Sequence, residues 1–329
     1  MSTLGVSFTD AALETRVQAS IDEIEVQLLA AVDSPEKFVA EAAAHLLTAG
    51  GKRFRPLLVT LAAEFGDPSR PEVAQSAVVV ELTHLATLYH DDVMDEAAMR
   101  RGAPSANSRW DNSVAILVGD YLFAQASDLV ADLGPEAVRL QARTFSRLVR
   151  GQIRETIGPD GDEDALTHYL GVVSDKTGSL IATAARFGAL MSGAPADVQE
   201  TLTEFGERIG AAFQLADDVI DIASETGDSG KTPGTDLREG VPTLPTLIAL
   251  RSTDPKSARL RSLLSKPLTD DAEHAEALTL LRAHPALTEA HSYVQAEADA
   301  ASVLLAKLPE SSARAALQEL CDTVATRLG

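Results

Sequence analysis

Residues 77–95 read AVVVELTHLATLYHDDVMD, an apolar run that ends in a cluster of carboxylates. Glu81 is the one acidic side chain inside the apolar part. No window of the chain reaches the ~18 uncharged apolar residues of a membrane-spanning helix, so we expect no membrane span. The stretch predicts a buried helix that carries Asp91, Asp92 and Asp95 at its end.

Two acidic pentapeptides differ at one position only. Residues 91–95 read DDVMD, and residues 217–221 read DDVID. Carboxylates at this density repel one another and are costly to bury, which indicates a shared cation. Sets of hard oxygen ligands favour Mg2+, particularly where a phosphate supplies the remaining oxygens. On a helix the first and fifth positions share a face, and the second is rotated by about 100°. A solvated acidic face explains a single copy better than it explains two.

The composition narrows the possible partners and compartment. The chain of 329 residues has 28 Lys and Arg against 49 Asp and Glu, a net charge of −21. Nucleic-acid binding usually requires a basic surface, so this balance argues against a nucleic-acid partner. Cys321 is the only cysteine, which excludes an intrachain disulfide. The N-terminus also lacks a basic segment followed by an apolar one, and we therefore expect a cytoplasmic protein.

Nearly every segment has helical periodicity, and aromatic residues make up only 4% of the chain. The pattern predicts one all-α domain over residues 1–329, a helical bundle around a central cavity, with a core at about 35–250 and a helical part at 251–329. The irregular segment 224–240 is either a lid or a solvated connector. The main helices are predicted at residues 11–32, 36–48, 55–66, 71–95, 106–130, 134–157, 163–191, 195–225 and 241–252.

Basic residues cluster beside the acidic motifs. Residues 50–56 read GGKRFRP and open a predicted helix, where the glycines let the backbone approach a ligand and the helix N-terminus favours anions. Lys52 and Arg55 share a face of this helix, while Arg100 and Arg101 follow the first acidic motif within two turns. Arg suits bidentate contacts with phosphate. The cluster predicts a diphosphate site held through metal, with a surface salt-bridge network as the alternative.

Other polar residues give weaker signals. His84 lies two turns before Asp91 and is either a core histidine or a donor to a phosphate oxygen. Gln214 shares the helical face of Asp217, and Lys176-Thr177 is a weak motif by itself.

Five motifs in this order resemble the trans-isoprenyl diphosphate synthases, or polyprenyl synthetases, over roughly residues 35–250. They are GGKRFRP at 50–56, HDDVMD at 90–95 with RRG at 100–102, GDYL at 119–122, KT at 176–177 and FQLADDVID at 213–221. The resemblance implies the all-helical isoprenoid-synthase fold. It also implies Mg2+-dependent head-to-tail condensation of isopentenyl diphosphate with an allylic prenyl diphosphate, and a homodimer.

The resemblance also implies a role for each matching residue. Two or three Mg2+ ions would be bound by Asp91, Asp95, Asp217 and Asp221, with Asp92 and Asp218 as secondary ligands. Isopentenyl diphosphate would be held by Lys52, Arg55, His84 and Arg101, and the allylic diphosphate by Arg100, Lys176 and Lys231. Thr177 and Gln214 would face the reacting carbons.

Product length depends, in this family, on the residues before the first acidic motif. The positions at which short-chain enzymes carry an aromatic residue are here Ala86 and Thr87, with Thr83 a turn further back. Their small side chains predict a product longer than C20, such as the precursor of a quinone side chain. A C15 or C20 product remains the alternative, if a deeper residue such as Phe123 stops growth.

One departure from the family pattern and two competing readings remain. Val241 follows Glu239-Gly240 where the family often has Lys, so a phosphate-facing lysine is missing there. A terpene cyclase shares the Asp-rich helix, but it needs no second diphosphate site. A non-catalytic subunit of a heteromeric synthase would be expected to lose one Asp motif, and this chain keeps both.

Overall fold

The computed structural model describes residues 8–224 and 233–326, which are almost entirely helical. This confirms the all-α prediction. The described helices, in chain order, are α1 Ala11–Ala31, α2 Lys37–Thr48, α3 Phe54–Ala63, α4 Pro71–Met94, α5 Ala106–Arg109, α6 Asn112–Asp132, α7 Pro135–Ile157, α8 Ala165–Val173, α9 Ser179–Met191, α10 Ala196–Ala223, α11 Thr235–Glu239, α12 Leu244–Leu250, α13 Ala258–Leu263, α14 Asp271–Arg282, α15 Pro285–Leu305 and α16 Ser312–Thr326.

The chain divides into two compact units, each built from separate segments. Unit 1 contains residues 1–146, 180–206 and 304–319, and unit 2 contains residues 147–179, 207–303 and 320–329. The expectation of a single domain with a central cavity stays a prediction.

Helix α4 forms the centre of unit 1, as the opening stretch predicts. Most of its side chains from Val73 to Tyr89 are buried. Tyr89 Oη donates to the Ala42 carbonyl oxygen over 2.6 Å, which ties α4 to α2. A Cβ atom at Gly119 would lie 2.3 Å from His90 Nε2, so only glycine lets α6 approach α4 this closely. The GDYL motif therefore contributes a packing contact beside the first Asp motif.

Three local features differ from the predicted helices. The predicted helix 106–130 is two helices, because Asp111 is extended and its side chain caps α6 by accepting from Val114 N over 2.9 Å. The predicted helix 163–191 contains a π-helical turn at Ser174–Gly178. No strand was predicted, but Met99–Arg100 (β1) pairs antiparallel with Ala103–Pro104 (β2) in a small hairpin.

One described helix, α6, is long and apolar enough to cross a membrane by length and composition alone. Core helices of soluble proteins pass the same test. The expectation of no membrane span stays a prediction.

Candidate active site

The first Asp motif lies at the C-terminal end of α4 in unit 1. Asp91 and Asp95 are one turn apart, and the Asp95 amide donates to the Asp91 carbonyl oxygen over 2.8 Å. Asp92 is fully buried, and its Oδ1 accepts a hydrogen bond from Arg100 Nε over 2.6 Å. Burial raises the pKa of Asp92, and the Arg100 charge opposes that rise. Arg100 is thus anchored beside the motif.

The β1–β2 hairpin places Arg100 and Arg101 beside the end of α4. Arg101 has a left-handed backbone with φ of 54°. Asn107 Nδ2 donates to the carbonyl oxygens of Asp92 and Ala97, at 3.1 and 3.2 Å. These hydrogen bonds from the Asn107 side chain fix the backbone between the acidic motif and the hairpin. The two arginines are therefore held on a fixed segment rather than on a long flexible loop.

The glycines of the GGKRFRP motif make room for protein side chains. A Cβ atom at Gly51 would lie 2.8 Å from Arg53 Nη1 and 2.9 Å from Arg101 Cζ. Arg101 Nη1 also donates to the carbonyl oxygens of Leu46 and Gly50, at 2.9 and 2.5 Å. The sequence predicted that these glycines approach a ligand. The structure shows that the space beside Gly51 is taken by two guanidinium groups.

Arg53 and Arg55 differ in their environments although they are two positions apart. Arg53 is buried and pairs with Glu25 and with the buried Glu81, from which its Nη1 lies 3.3 Å away. Arg55 Nε is buried without a hydrogen-bond partner. Burial, opposed by the Glu81 charge and aided by the Arg101 charge, lowers the pKa of Arg55 to about 10. A half-buried cation with an unpartnered Nε atom favours an anionic ligand.

His84 lies within the field of the same arginines. Its pKa is lowered well below 6.5, first by burial and then by the charges of Arg55, Arg101, Arg100 and Arg53. The imidazole is therefore neutral at pH 7 and can donate one hydrogen bond. We name Arg53, Arg55, His84, Arg100 and Arg101 the basic cluster. Its charges and its neutral donor suit a diphosphate.

The positions predicted to control product length are buried on α4. Ala86 is completely buried, and Thr87 Oγ1 donates to the His84 carbonyl oxygen over 2.7 Å. Thr83 Oγ1 accepts from Gln141 Nε2 on α7 over 3.0 Å. Gln141 was not identified from the sequence, because contact with α4 depends on tertiary packing.

The second Asp motif lies near the end of α10 in unit 2. Asp218 is buried, accepts from Gln214 Nε2 over 2.9 Å and accepts a second hydrogen bond from Tyr169 Oη. Burial raises the pKa of Asp218 to about 6, while the two hydrogen bonds lower it. Asp221 accepts from the backbone amides of Thr235 and Asp236 at 3.3 and 3.4 Å, and so caps α11.

Lys176 and Thr177 lie in the π-helical turn of unit 2. Thr177 Oγ1 donates to Gln214 Oε1 over 3.0 Å, and Lys176 Nζ pairs with Glu155 over 2.6 Å. A Cβ atom at Gly151 would lie 2.9 Å from Lys176 N, so glycine at this position lets α7 approach the turn. Isolated π-helical turns occur frequently at functional sites.

Several residues of the site were missed by sequence reasoning. Glu81 had a usable signal, because it is a lone acidic residue in an apolar helix. Tyr169 and Glu155 had none, because their roles depend on contacts across helices. Lys231 lies outside the described residues, as do residues 225–232 of the irregular segment 224–240.

The carboxylates suit a metal ion whose coordination shell is completed by ligands from outside the protein. Within residues 8–224 and 233–326, no group of three or more His, Cys, Asp or Glu side chains is arranged to hold a metal ion. Asp91 and Asp95 share one helical face, so that helix offers two hard oxygen donors. This donor set fits Mg2+ that takes its other oxygens from phosphate or water.

The comparisons with known proteins identify the family of the chain. The polyprenyl synthetase family model matches residues 36–281, and the chain belongs to that family. It is a prenyltransferase whose substrates are prenyl diphosphates.

Two relatives and one solved structure show the range of similar proteins. The chain is 51% identical to nonaprenyl diphosphate synthase of Mycobacterium tuberculosis, covering 99% of this chain and 97% of the relative. It is 44% identical to a dimethylallyltranstransferase of the same organism, covering 96% and 97%. Geranylgeranyl pyrophosphate synthase from Corynebacterium glutamicum, solved with calcium and isoprenyl diphosphate, has 47% identity and a TM-score of 0.90, covering 98% of this chain and 100% of that chain.

Proposed function

We propose that this enzyme elongates an allylic prenyl diphosphate with isopentenyl diphosphate, head to tail, to an all-trans product longer than C20. The observation that carries the proposal is the basic cluster of unit 1. It holds the neutral His84 among four guanidinium groups, and one of them, Arg100, is bonded to the first Asp motif. The proposed diphosphate site and the proposed metal-binding motif are thus neighbours within unit 1.

The part of the basic cluster without Arg53 and Arg100 is proposed to bind isopentenyl diphosphate. Arg55 and Arg101 supply charge, the exposed Lys52 supplies a further cation, and His84 donates a hydrogen bond to a phosphate oxygen. Arg100, Lys176 and Lys231 are assigned to the allylic diphosphate. The exposed Val241 stands where the family often has Lys, so the allylic diphosphate has one cationic side chain fewer to bind it.

Two or three Mg2+ ions are proposed to be held by Asp91, Asp95, Asp217 and Asp221. When bound, Mg2+ neutralises the leaving diphosphate and so favours cleavage of the allylic C–O bond. The calcium and isoprenyl diphosphate in the Corynebacterium structure are consistent with this pairing of divalent cation and substrate.

Thr177 and Gln214 are proposed to face the reacting carbons of the substrates. The allylic C–O bond ionises, the double bond of isopentenyl diphosphate attacks the allylic cation, and the departing diphosphate takes the proton that is lost. The side-chain oxygens of Thr177 and Gln214 offer partial negative charge to that cation. Water has to be kept out, since it would trap the cation.

The long product is proposed from Thr83, Ala86 and Thr87, and the similarity to a nonaprenyl diphosphate synthase supports it. Ala86→Phe is expected to shorten the product, because an aromatic ring would fill the space that the growing chain needs. Chromatography of products from wild-type and variant protein measures this, with circular dichroism as the folding control. An unchanged product length would contradict the assignment.

A C15 or C20 product is the second candidate. The similarity to a geranylgeranyl pyrophosphate synthase favours it. A structural feature favours it too, because the Phe123 and Phe145 rings pack in a tilted arrangement with centroids 4.3 Å apart and could form a deeper floor. If Phe123 stops growth at C15 or C20, Phe123→Ala lengthens the product. If the wild-type product is already longer than C20, the same change leaves its length unchanged.

The enzyme is proposed to be a cytoplasmic homodimer that is active without another subunit. Ile116 and Leu117 on α6 are 43% and 66% exposed in the monomer, which suits a helix that packs against a second copy. Mg2+-dependent release of diphosphate by the purified chain alone tests the activity. Release only after a second protein is added would assign the chain to a non-catalytic subunit.

A further inference from the structure

We propose that Tyr169 and Asp218 are positioning residues that set the orientation of the Gln214 side-chain amide. Because Tyr169 and Asp218 hold this amide, the Gln214 carbonyl oxygen and the Thr177 hydroxyl oxygen both face the allylic carbons. The inference deepens the proposed function and rests on it, because it takes the roles of Thr177 and Gln214 from that function.

The geometry is a continuous chain of hydrogen bonds inside unit 2. Tyr169 Oη on α8 donates to Asp218 Oδ2, and Gln214 Nε2 donates to Asp218 Oδ1 over 2.9 Å. Thr177 Oγ1, in the π-helical turn, donates to Gln214 Oε1 over 3.0 Å. Both oxygens of Asp218 therefore accept a hydrogen bond from the protein, and the residue is only 7% exposed.

This chain of hydrogen bonds selects one of the two nearly isosteric orientations of the Gln214 side-chain amide. A carboxylate only accepts hydrogen bonds, so the NH2 group of Gln214 has to face Asp218. Tyr169 holds the plane of that carboxylate by donating to its other oxygen. The carbonyl oxygen of Gln214 is consequently fixed beside Thr177. Fixed dipoles with their negative ends toward a developing cation lower the barrier without reorganisation during the reaction.

The first Asp motif uses its second aspartate in a similar way. Asp92 is fully buried and bonded to Arg100, as Asp218 is buried and bonded to Tyr169 and Gln214. In each motif the second aspartate thus orients a neighbouring functional side chain. This role differs from the secondary metal ligation that the sequence resemblance implies.

Asp218→Asn is the first test, because asparagine can present its own NH2 group to Gln214 and reverse the amide. We expect kcat with farnesyl diphosphate and isopentenyl diphosphate to fall about tenfold, which corresponds to about 1.4 kcal/mol. The KM values and the Mg2+ concentration for half-maximal rate stay within about twofold of wild type, the error of such a comparison.

The double variant Gln214→Glu/Asp218→Asn distinguishes positioning from metal binding. The new carboxylate accepts from Thr177 and from the asparagine NH2, and the asparagine oxygen accepts from Tyr169, so all three hydrogen bonds return. Recovery of most of kcat supports the inference. A raised Mg2+ requirement in Asp218→Asn that persists in the double variant would make Asp218 a metal ligand and overturn it. Wild-type kcat in Asp218→Asn would also overturn it.

Tyr169→Phe is expected to lower kcat about threefold and to leave KM unchanged, since one bond to Asp218 is lost. Tyr121→Phe is the matched control, because its hydroxyl donates to the Asp33 carbonyl oxygen over 3.2 Å in unit 1. Equal losses of kcat in both variants would reduce Tyr169 to a structural role. Thermal unfolding verifies that each variant is folded.

A binding measurement separates this inference from the proposed function. The probes are farnesyl thiodiphosphate and an ammonium analogue of farnesyl diphosphate with a protonated nitrogen at the reacting carbon. Calorimetry is expected to show that Asp218→Asn weakens binding of the ammonium analogue about tenfold relative to farnesyl thiodiphosphate, which carries no positive charge at the reacting carbon. Equal effects on both ligands would overturn the inference. An inactive wild-type protein that shows this difference would refute the proposed function alone.

Discussion

At the scale of single residues, neighbouring positions with the same chemistry have different tasks. The sequence presents Lys52, Arg53 and Arg55 as one basic run. Arg53 has its charge matched by Glu25 and Glu81, whereas Arg55 is half-buried and its buried Nε atom has no hydrogen-bond partner. Residue type and spacing predicted an anion site here. They could not show which guanidinium is structural, because that depends on Glu25 and Glu81 approaching from other helices.

Arg53→Ala is expected to destabilise the protein by about 3–5 kcal/mol, because it leaves the buried Glu81 without its closest cation. Urea unfolding measures this difference. Lys52→Ala, on an exposed neighbour, is the control and is expected to change the free energy of unfolding by less than about 0.5 kcal/mol while raising the KM for isopentenyl diphosphate. A loss below about 1 kcal/mol in Arg53→Ala would contradict the structural role.

His84 is expected to make stability depend on pH. Its pKa is lower in the folded protein than in the unfolded chain, so below about pH 6.5 the unfolded chain binds more protons. Stability is therefore retained above that pH and lost as the pH falls below it. His84→Gln is expected to reduce this loss between about pH 6.5 and 5, measured by urea unfolding. Identical pH profiles would show that His84 is not responsible.

At the scale of elements, the π-helical turn at Ser174–Gly178 decides how Lys176 and Thr177 are presented. Periodicity predicted an uninterrupted helix through this region, because one extra residue in a turn hardly changes a pattern of apolar positions. The turn is held by packing. Arg147 Nε donates to Asp175 over 3.0 Å, and Gly151 allows close approach of the backbone.

Gly151→Ala is expected to displace the turn, because the added Cβ would meet Lys176 N at 2.9 Å and Asp175 Cβ at 3.0 Å. We expect the KM for the allylic substrate to rise and kcat to fall, each by about threefold or more, consistent with overpacking of about 1–3 kcal/mol. Steady-state kinetics measure both. Arg143→Ala, an exposed change on the same helix, is the control and should behave like wild type. Wild-type kinetics in Gly151→Ala would contradict this role of the turn.

At the scale of the whole molecule, the helical fold and the order of the motifs were predictable from the sequence. The apolar run before Asp91 and the repeated pentapeptide were sufficient for the fold class and the family, and the match over residues 36–281 confirms the family. Tyr169, Glu155 and Gln141 were not predictable. Each acts through one contact between helices that are distant in sequence, and a single sequence carries no record of such contacts.

Removal of metal is expected to abolish activity without unfolding the protein. In the proposed function Mg2+ takes part of its ligands from the diphosphate, so we expect it to contribute little to the stability of the substrate-free enzyme. Adding EDTA to the substrate-free protein should shift the midpoint of thermal unfolding by less than about 2 °C. A larger fall would indicate a structural metal ion.

The most direct test of the central claim is the product distribution of the purified wild-type chain. The chain is incubated alone with farnesyl diphosphate, labelled isopentenyl diphosphate and Mg2+, and the products are separated by chromatography. The account predicts all-trans products longer than C20, formed only when Mg2+ is present. Products that stop at C15 or C20 would contradict the predicted length, and the absence of any elongation would contradict the proposed function itself.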